Sequence, residues 1–276
     1  MVKSLILTGF GINCEIEMRA AYKNTGAEVK IIHFNEIIEG NYSLKDYDIL
    51  SFPGGFSFGD DISSGKVMAN KVKYKKMRNG NTFIQEIEDF IKQGKYIMGV
   101  CNGFQILVQL GLLPNLKGDY NPETALLHND SNKYEDRWVH CKVNNQNDSP
   151  FLKGIESLPL PVRHGEGKLV IKDKTVLDNI VKHNLIALQY ADATGNITEE
   201  YPKNPNGSTL SIAGLTDRTG QIFGLMPHPE AFLSFYNHPN WAKMKRDKNE
   251  LKRVQTGQAI FDNIVKHISQ VKNNKK

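Results

Sequence analysis

Lys95-Tyr-Ile-Met-Gly-Val-Cys101-Asn-Gly-Phe-Gln105 is the stretch from which the rest of the chain can be read. Tyr96 to Val100 is a short apolar run of the kind that forms a buried strand. From Asn102 to Leu110, the apolar Phe104, Leu107 and Val108 recur at helical spacing, and Gly111 and Pro114 mark the stop. Cys101 falls on the junction. A side chain there projects from a tight strand-to-helix turn, as a nucleophile elbow requires. Gly99 and Gly103 stand two residues to either side, which suits a sharp turn and a closely approaching substrate. The following helix turns its N-terminal N–H groups toward the sulfur and favours the thiolate, the reactive form. Alone, such a cysteine reads equally well as a buried structural thiol.

A second segment tips the balance. Gln221-Ile-Phe-Gly-Leu-Met-Pro-His228-Pro-Glu230 is an apolar strand ending in a histidine and a carboxylate two residues apart. In extended backbone, positions i and i+2 share a face, and Pro229 biases His228 toward that geometry. His228 can then face Cys101 while Glu230 supports the imidazole. This is a nucleophile, base and orienter in the chain order Cys, His, Glu.

The remaining elements predict the scaffold. Val2 to Thr8, Val29 to Phe34 and Tyr47 to Phe52 read as strands separated by helical stretches. That alternation predicts right-handed βαβ units and a parallel sheet. Pro53-Gly-Gly-Phe-Ser57 follows the third strand. Its paired glycines let backbone approach a ligand, and N–H groups here and at Asn102 can meet an oxyanion. Ser64 is a candidate cap for the next helix. Lys66 to Arg78 is a lysine-rich run that reads as a solvated helix face or a docking surface, and Thr82 to Lys92 is amphipathic. Arg137 to Val143 and Leu185 to Tyr190 read as strands. Leu210 to Leu215 and Gln221 to Met226 read as a hairpin. Residues 115 to 165 carry the weakest periodicity, and Pro161-Val-Arg-His-Gly-Glu-Gly167 reads as a mobile loop. His164 and Glu166 there are two ligands without partners, a poor case for a metal, and no metal site is expected.

Composition fits an ordinary soluble globular protein: 276 residues, 39% hydrophobic and 24% charged. The expected organisation is a single domain over 1–272 with a frayed tail at 273–276. The net charge of +5, largely from two lysine-rich segments, does not argue for a nucleic-acid partner. Three cysteines at unrelated spacings, with neither a signal peptide nor a long apolar run, predict a cytoplasmic protein without a membrane segment. Gly9-Phe-Gly-Ile-Asn13 lacks the third glycine of a dinucleotide fingerprint, and no P-loop lysine motif occurs. Cys14 reads as a helix-start residue.

Gly99-Val-Cys-Asn-Gly-Phe-Gln105 with Pro227-His-Pro-Glu230 resembles the triad of class I glutamine amidotransferases. More narrowly, the chain resembles the glutaminase subunits of phosphoribosylformylglycinamidine synthase. Asn13-Cys14-Glu15, Phe52-Pro-Gly-Gly-Phe-Ser-Phe-Gly-Asp60, His164-Gly-Glu-Gly167 and Tyr201-Pro-Lys-Asn-Pro-Asn-Gly-Ser208 before Ile212-Ala-Gly-Leu215 carry that narrower match. The resemblance implies a flavodoxin-like α/β fold with a mainly parallel sheet flanked by helices. It implies glutamine hydrolysis by Cys101, His228 and Glu230, with Gly54 and Gly55 in the oxyanion hole beside Asn102. It makes Gln105 and His164 substrate or border contacts. The implied partner is a synthetase subunit that uses ATP and magnesium to make formylglycinamidine ribonucleotide, with room for a small accessory subunit; this chain itself needs no cofactor. The chain departs from the pattern at Ala231, where most members carry Arg, and in an apparent insertion over 232–253. Another amidotransferase or cysteine hydrolase of the same fold is one alternative. A non-catalytic regulatory module is the other.

Overall fold

A computed structural model describes residues 1–246 and 255–274. The elements are β1 (Lys3–Thr8), α1 (Glu15–Asn24), β2 (Glu28–His33), α2 (Phe34–Ile38), β3 (Ile49–Phe52), α3 (Lys66–Tyr74), α4 (Phe83–Lys92), β4 (Tyr96–Val100) and α5 (Asn102–Gln109). They continue with β5 (Thr124–His128), β6 (Glu135–Val143), β7 (Ser157–His164), β8 (Glu166–Ile171), α6 (Lys174–Lys182), β9 (Ile186–Ala191), β10 (Ile212–Thr216), β11 (Ile222–Leu225), α7 (Trp241–Arg246) and α8 (Gln258–Asn274).

Nine strands form one mixed sheet in the order β2-β1-β3-β4-β11-β10-β9-β6-β7, and β5 pairs with β8 in a separate two-stranded sheet. Strands β2, β1, β3, β4 and β11 pair in parallel throughout. The later pairings are antiparallel, so among all nine strands only β10 and β6 run against the rest. The continuous apolar runs of β1, β3 and β4 are buried, as strands covered on both faces must be. Helix α1 packs on α8, whereas α3 packs on α4 and α5. The chain steps one way from β1 to β2 and the other way from β2 to β3. Right-handed crossovers therefore place these two helix groups on opposite faces. That reversal leaves a crevice at the carboxyl ends of β1 and β3, where doubly wound sheets bind ligands.

Several local readings change in the structure. Pro161 to Gly167 is not a mobile loop but the end of β7 and the start of β8. Pro159 and Pro161 mask the strand in the sequence, yet both fit because β7 is the edge of the sheet and needs no N–H there. Gly65, at φ 75°, starts α3 in place of Ser64, whose N–H instead donates to Glu166 Oε2 at 3.0 Å. Thr82 is the N-cap residue of α4, and Gln85 Oε1 reaches back to accept its N–H at 2.8 Å. The first part of the 232–253 segment folds back against β6, with the Phe232 and His238 rings 5.1 and 4.6 Å from Trp138; its end lies outside the described residues. Helix α8 continues to Asn274, so the expected tail begins inside a helix and ends outside the described residues.

Candidate active site

Cys101 joins β4 to α5 at φ 51° and ψ −108°, a conformation an L-residue adopts only when its surroundings enforce it. The enforcement is visible. Its N–H donates to Leu225 O at 2.8 Å, tying the elbow to β11, and its carbonyl accepts Gln105 N–H at 3.0 Å. Gly103 lies so close to Phe52 that any side-chain carbon would collide with the Phe52 carbonyl. A Cβ on Gly99 would sit 2.6 Å from Leu107 and 2.8 Å from the Gly103 carbonyl. The flanking glycines thus answer the packing of α5 on β3 and β4 behind the sulfur, and not the approach of substrate. The thiol is 5% exposed and donates weakly to Arg163 O at 3.6 Å.

His228 is the third residue beyond β11, and its N–H is held by Pro161 O of β7 at 2.8 Å. Its Nδ1 lies 2.7 Å from Glu230 Oε1, with both side chains buried. Extended backbone is not what joins them: Pro229 to Ala231 form a short 3-10 turn that brings the carboxylate back onto the ring. Burial disfavours the imidazolium. The combined pull of Glu230, the Cys101 thiol and Cys14 outweighs it and raises the His228 pKa well above its ordinary value. His228 Nε2 and Glu230 Oε2 are buried and have no hydrogen-bond partner.

Gly54 stands between nucleophile and base. A Cβ there would lie 2.7 Å from His228 Cε1, 3.2 Å from Cys14 Sγ and 3.4 Å from Cys101 Cβ. Its carbonyl accepts N–H groups of Asn13 and Cys14, both at 3.2 Å. A trans peptide sends its N–H opposite to its carbonyl, so Gly55 N–H points away from α1. It and the N–H of Asn102, at the start of α5, are candidate oxyanion donors beside the Gly54 N–H. The Asn102 side chain braces this wall: Oδ1 accepts Ser57 N–H at 3.3 Å and Nδ2 donates to Gln105 Oε1 at 3.0 Å. Gln105 Nε2 donates in turn to Glu166 O at 2.5 Å. Gln105 therefore ties α5 to β8, with both ends of its amide engaged.

His164 ends β7 and is 2% exposed. Asn129 Nδ2 donates to the carbonyls of Lys133 and His164, which fixes the amide so that Oδ1 faces His164 Nδ1 at 3.1 Å. His164 Nε2 is then the bare nitrogen, buried without a partner. Burial, with the nearby His228 charge, lowers its pKa to about 3. His164 sits beside the triad as a neutral imidazole.

Two features went unread in the sequence. The Asn129, Asn206 and Ser208 network stitches the β5–β6 and β9–β10 connections to β8, Asn206 Nδ2 donating to Gly167 O at 2.7 Å. Only long-range folding assembles it. Cys14 does start α1, as its sequence suggests, but it also stands against the triad. Its ligand atom and those of His228 and Glu230 lie within 4.8 Å of one another. Burial raises its thiol pKa more than His228 lowers it. The one signal was its place after β1, at the topological crevice.

The described helices include none long and apolar enough to cross a membrane. A profile of the CobB/CobQ-like glutamine amidotransferase domain matches residues 1–268. The phosphoribosylformylglycinamidine synthase subunit PurQ of Methanococcus maripaludis strain C5 is 40% identical over 277 residues, covering 97% of this chain and 98% of that one. The subunit PurQ of Dehalococcoides mccartyi is 39% identical over 272 residues, covering 98% and 99%. Among solved structures, a chain of PurLQS from Thermotoga maritima superposes with a TM-score of 0.69 at 29% identity, over 97% of this chain and 99% of that one. With the elbow, the mixed sheet and these relatives in agreement, the chain belongs to the CobB/CobQ-like glutamine amidotransferase family, among the PurQ subunits of phosphoribosylformylglycinamidine synthase.

Proposed function

We propose that this chain hydrolyses glutamine on Cys101 and passes the ammonia to a synthetase chain that forms formylglycinamidine ribonucleotide. The Cys101 sulfur attacks the side-chain amide carbon with its proton held on His228 Nε2. The oxyanion meets the N–H groups of Gly55 and Asn102 in a dry site, where such donors act strongly. Collapse breaks the C–N bond, His228 returns the proton to the departing ammonia, and a glutamyl thioester remains. Water, deprotonated by His228, then attacks the thioester and releases glutamate and the thiol. Glu230 holds the ring tautomer and stabilises the imidazolium throughout. ATP and magnesium belong to the partner chain in this reading.

The observation that carries it is the Glu230-supported His228 beside a strained elbow cysteine, all at the carboxyl ends of parallel strands. A glutamine-like diazo-ketone tests it. Mass mapping is expected to find the label on Cys101, with Cys14 and Cys141 spared. Labelling mainly at Cys14 or Cys141, or equal turnover of asparagine and glutamine, would overturn the assignment.

A further inference from the structure

The lysine-rich α3 reads in sequence as a solvated face, yet one of its lysines turns toward the backbone that carries the oxyanion donors. Residues 54–58 are sewn to residues 10–14 in a short antiparallel strip. Asn13 and Cys14 N–H donate to Gly54 O, Ile12 bridges Gly55, and Phe56 and Phe58 N–H donate to Gly11 O and Phe10 O. The strip ends on Phe10 and Phe58, which hold positive φ of 58° and 56°. A residue with a side chain stays in that region only where its surroundings enforce it. Here the two rings stack, with centroids 4.4 Å apart and planes 22° from parallel. Phe10 also packs T-shaped on His33 at 5.1 Å.

Lys71 completes the arrangement. Its Nζ lies 5.5 Å from the Phe10 centroid and 5.2 Å from the Phe58 centroid, within cation–π reach of both rings. No carboxylate pairs with it among the described residues. The helix that carries it packs on α4, on α5 and on the Ser57–Asp60 turn. At its start, a Cβ on Gly65 would stand 3.0 Å from Ile106 N of α5. Helix α3 thus spans from the elbow helix to the strip.

We propose that Lys71 is a positioning residue for the oxyanion wall: its ammonium latches the Phe10–Phe58 stack and so holds Gly54 and Gly55 against the elbow. It acts through the strip and not on substrate. Its removal leaves Cys101, His228 and Glu230 in place but loosens donors that meet charge only in the transition state. The loss therefore falls on kcat and not on KM. The effect on rate rests on the proposed glutaminase reading; the hold on the strip does not.

The experiment reads the two separately on the purified full chain. In Lys71→Gln, kcat for glutamine is expected to fall about fivefold to thirtyfold, as for loss of a half-buried cation–π contact and short of the 10²–10³-fold of a whole oxyanion donor. KM is expected to stay within about twofold. Lys71→Arg keeps the cation and is expected to restore the rate. Lys75→Gln, at an exposed lysine just beyond α3, controls for bulk charge and is expected to match the wild type. In a Phe58→Leu background, Lys71→Gln is expected to cost no more than about twofold, since groups that act together are not additive. Hydrogen exchange across residues 54–60 reads the latch without turnover and is expected to quicken at least about fivefold in Lys71→Gln. Unchanged exchange, or an equal loss in Lys71→Arg or Lys75→Gln, would overturn the latch. Faster exchange with undiminished kcat would overturn the positioning role alone. Faster exchange in Lys71→Gln, with a wild type inactive on glutamine, would sink the glutaminase reading and keep the latch.

Discussion

Glu230 Oε1 and His228 Nδ1 meet at 2.7 Å in a buried pair. The bond commits Nδ1 to the carboxylate and leaves Nε2 as the nitrogen that can exchange a proton with a thiol. Residues only two apart achieve this because Pro229 opens a 3-10 turn directly after His228.

That relationship ranks the triad variants. Cys101→Ala removes the nucleophile and is expected to abolish glutamine hydrolysis. Glu230→Gln keeps the shape but loses the charge that fixes the tautomer, and a drop of about 10⁴-fold in turnover is expected, with a measurable residue. Steady-state glutamate production checks both. Wild-type turnover in Cys101→Ala would end the mechanism.

Gly54→Ala probes the space between nucleophile and base. The new methyl would stand 2.7 Å from His228 Cε1, so the imidazole has to move. Displacement by about 1 Å costs on the order of 10²-fold in turnover. The expected result is that loss in kcat with the far-ultraviolet spectrum unchanged. An alanine variant with normal kcat would show that the imidazole tolerates the shift.

His164 predicts an acid-sensitive fold. Its pKa falls from 6.5 to about 3 because burial disfavours the cation. Between those values the unfolded chain holds the extra proton and the folded chain does not. Stability therefore falls as pH drops through this window, by about 1.4 kcal/mol per unit. His164→Gln keeps a donor for Asn129 Oδ1 and removes the titration. Its melting temperature is expected to decline less steeply than that of the wild type between pH 6.5 and 4.5. Parallel declines would refute the assignment.

Control by the synthetase is expected at the loop from Pro53 to Gly65. Its first half is anchored, Phe56 N–H and Phe58 N–H donating to Gly11 O and Phe10 O at 2.9 and 2.6 Å. Its second half carries Asp60 and Ile62 at positive φ, and Ile62 is 86% exposed. A β-branched residue in that region is strained by about 1–2 kcal/mol. A partner that covers Ile62 favours one arrangement of the loop and with it the Gly55 donor. Glutaminase turnover is expected to rise at least roughly tenfold on adding the synthetase with its nucleotide and substrate, within the 10²–10³-fold range of one oxyanion donor. Ile62→Asp is expected to blunt the rise and leave the basal rate. Full activity of the isolated chain, unchanged by saturating partner, would rule out the control.

The sequence alone determined the elements whose signal is local. An apolar run, one cysteine and a helical repeat located the elbow at Cys101. A strand ending in Pro-His-Pro-Glu located the base and its support. Alternating strands and helices in the first hundred residues announced the parallel half of the sheet. These signals survive in one dimension because a doubly covered strand is apolar throughout and a helix face repeats every three to four residues. Tertiary structure decided the rest. It made an edge strand of Pro159 and Pro161, which single residues argue against, because only the sheet order shows that no N–H is needed there. It tethered Gln105 to Glu166 and gave Gly103 its role against Phe52. It also carried Cys14, far from His228 in sequence, to the triad, since β1, β3, β4 and β11 lie side by side and deliver their following loops to one edge. Spacing along a chain records which residues share a helix or a strand; which loops meet at the end of a sheet is set by strand order, and that order depends on long-range burial.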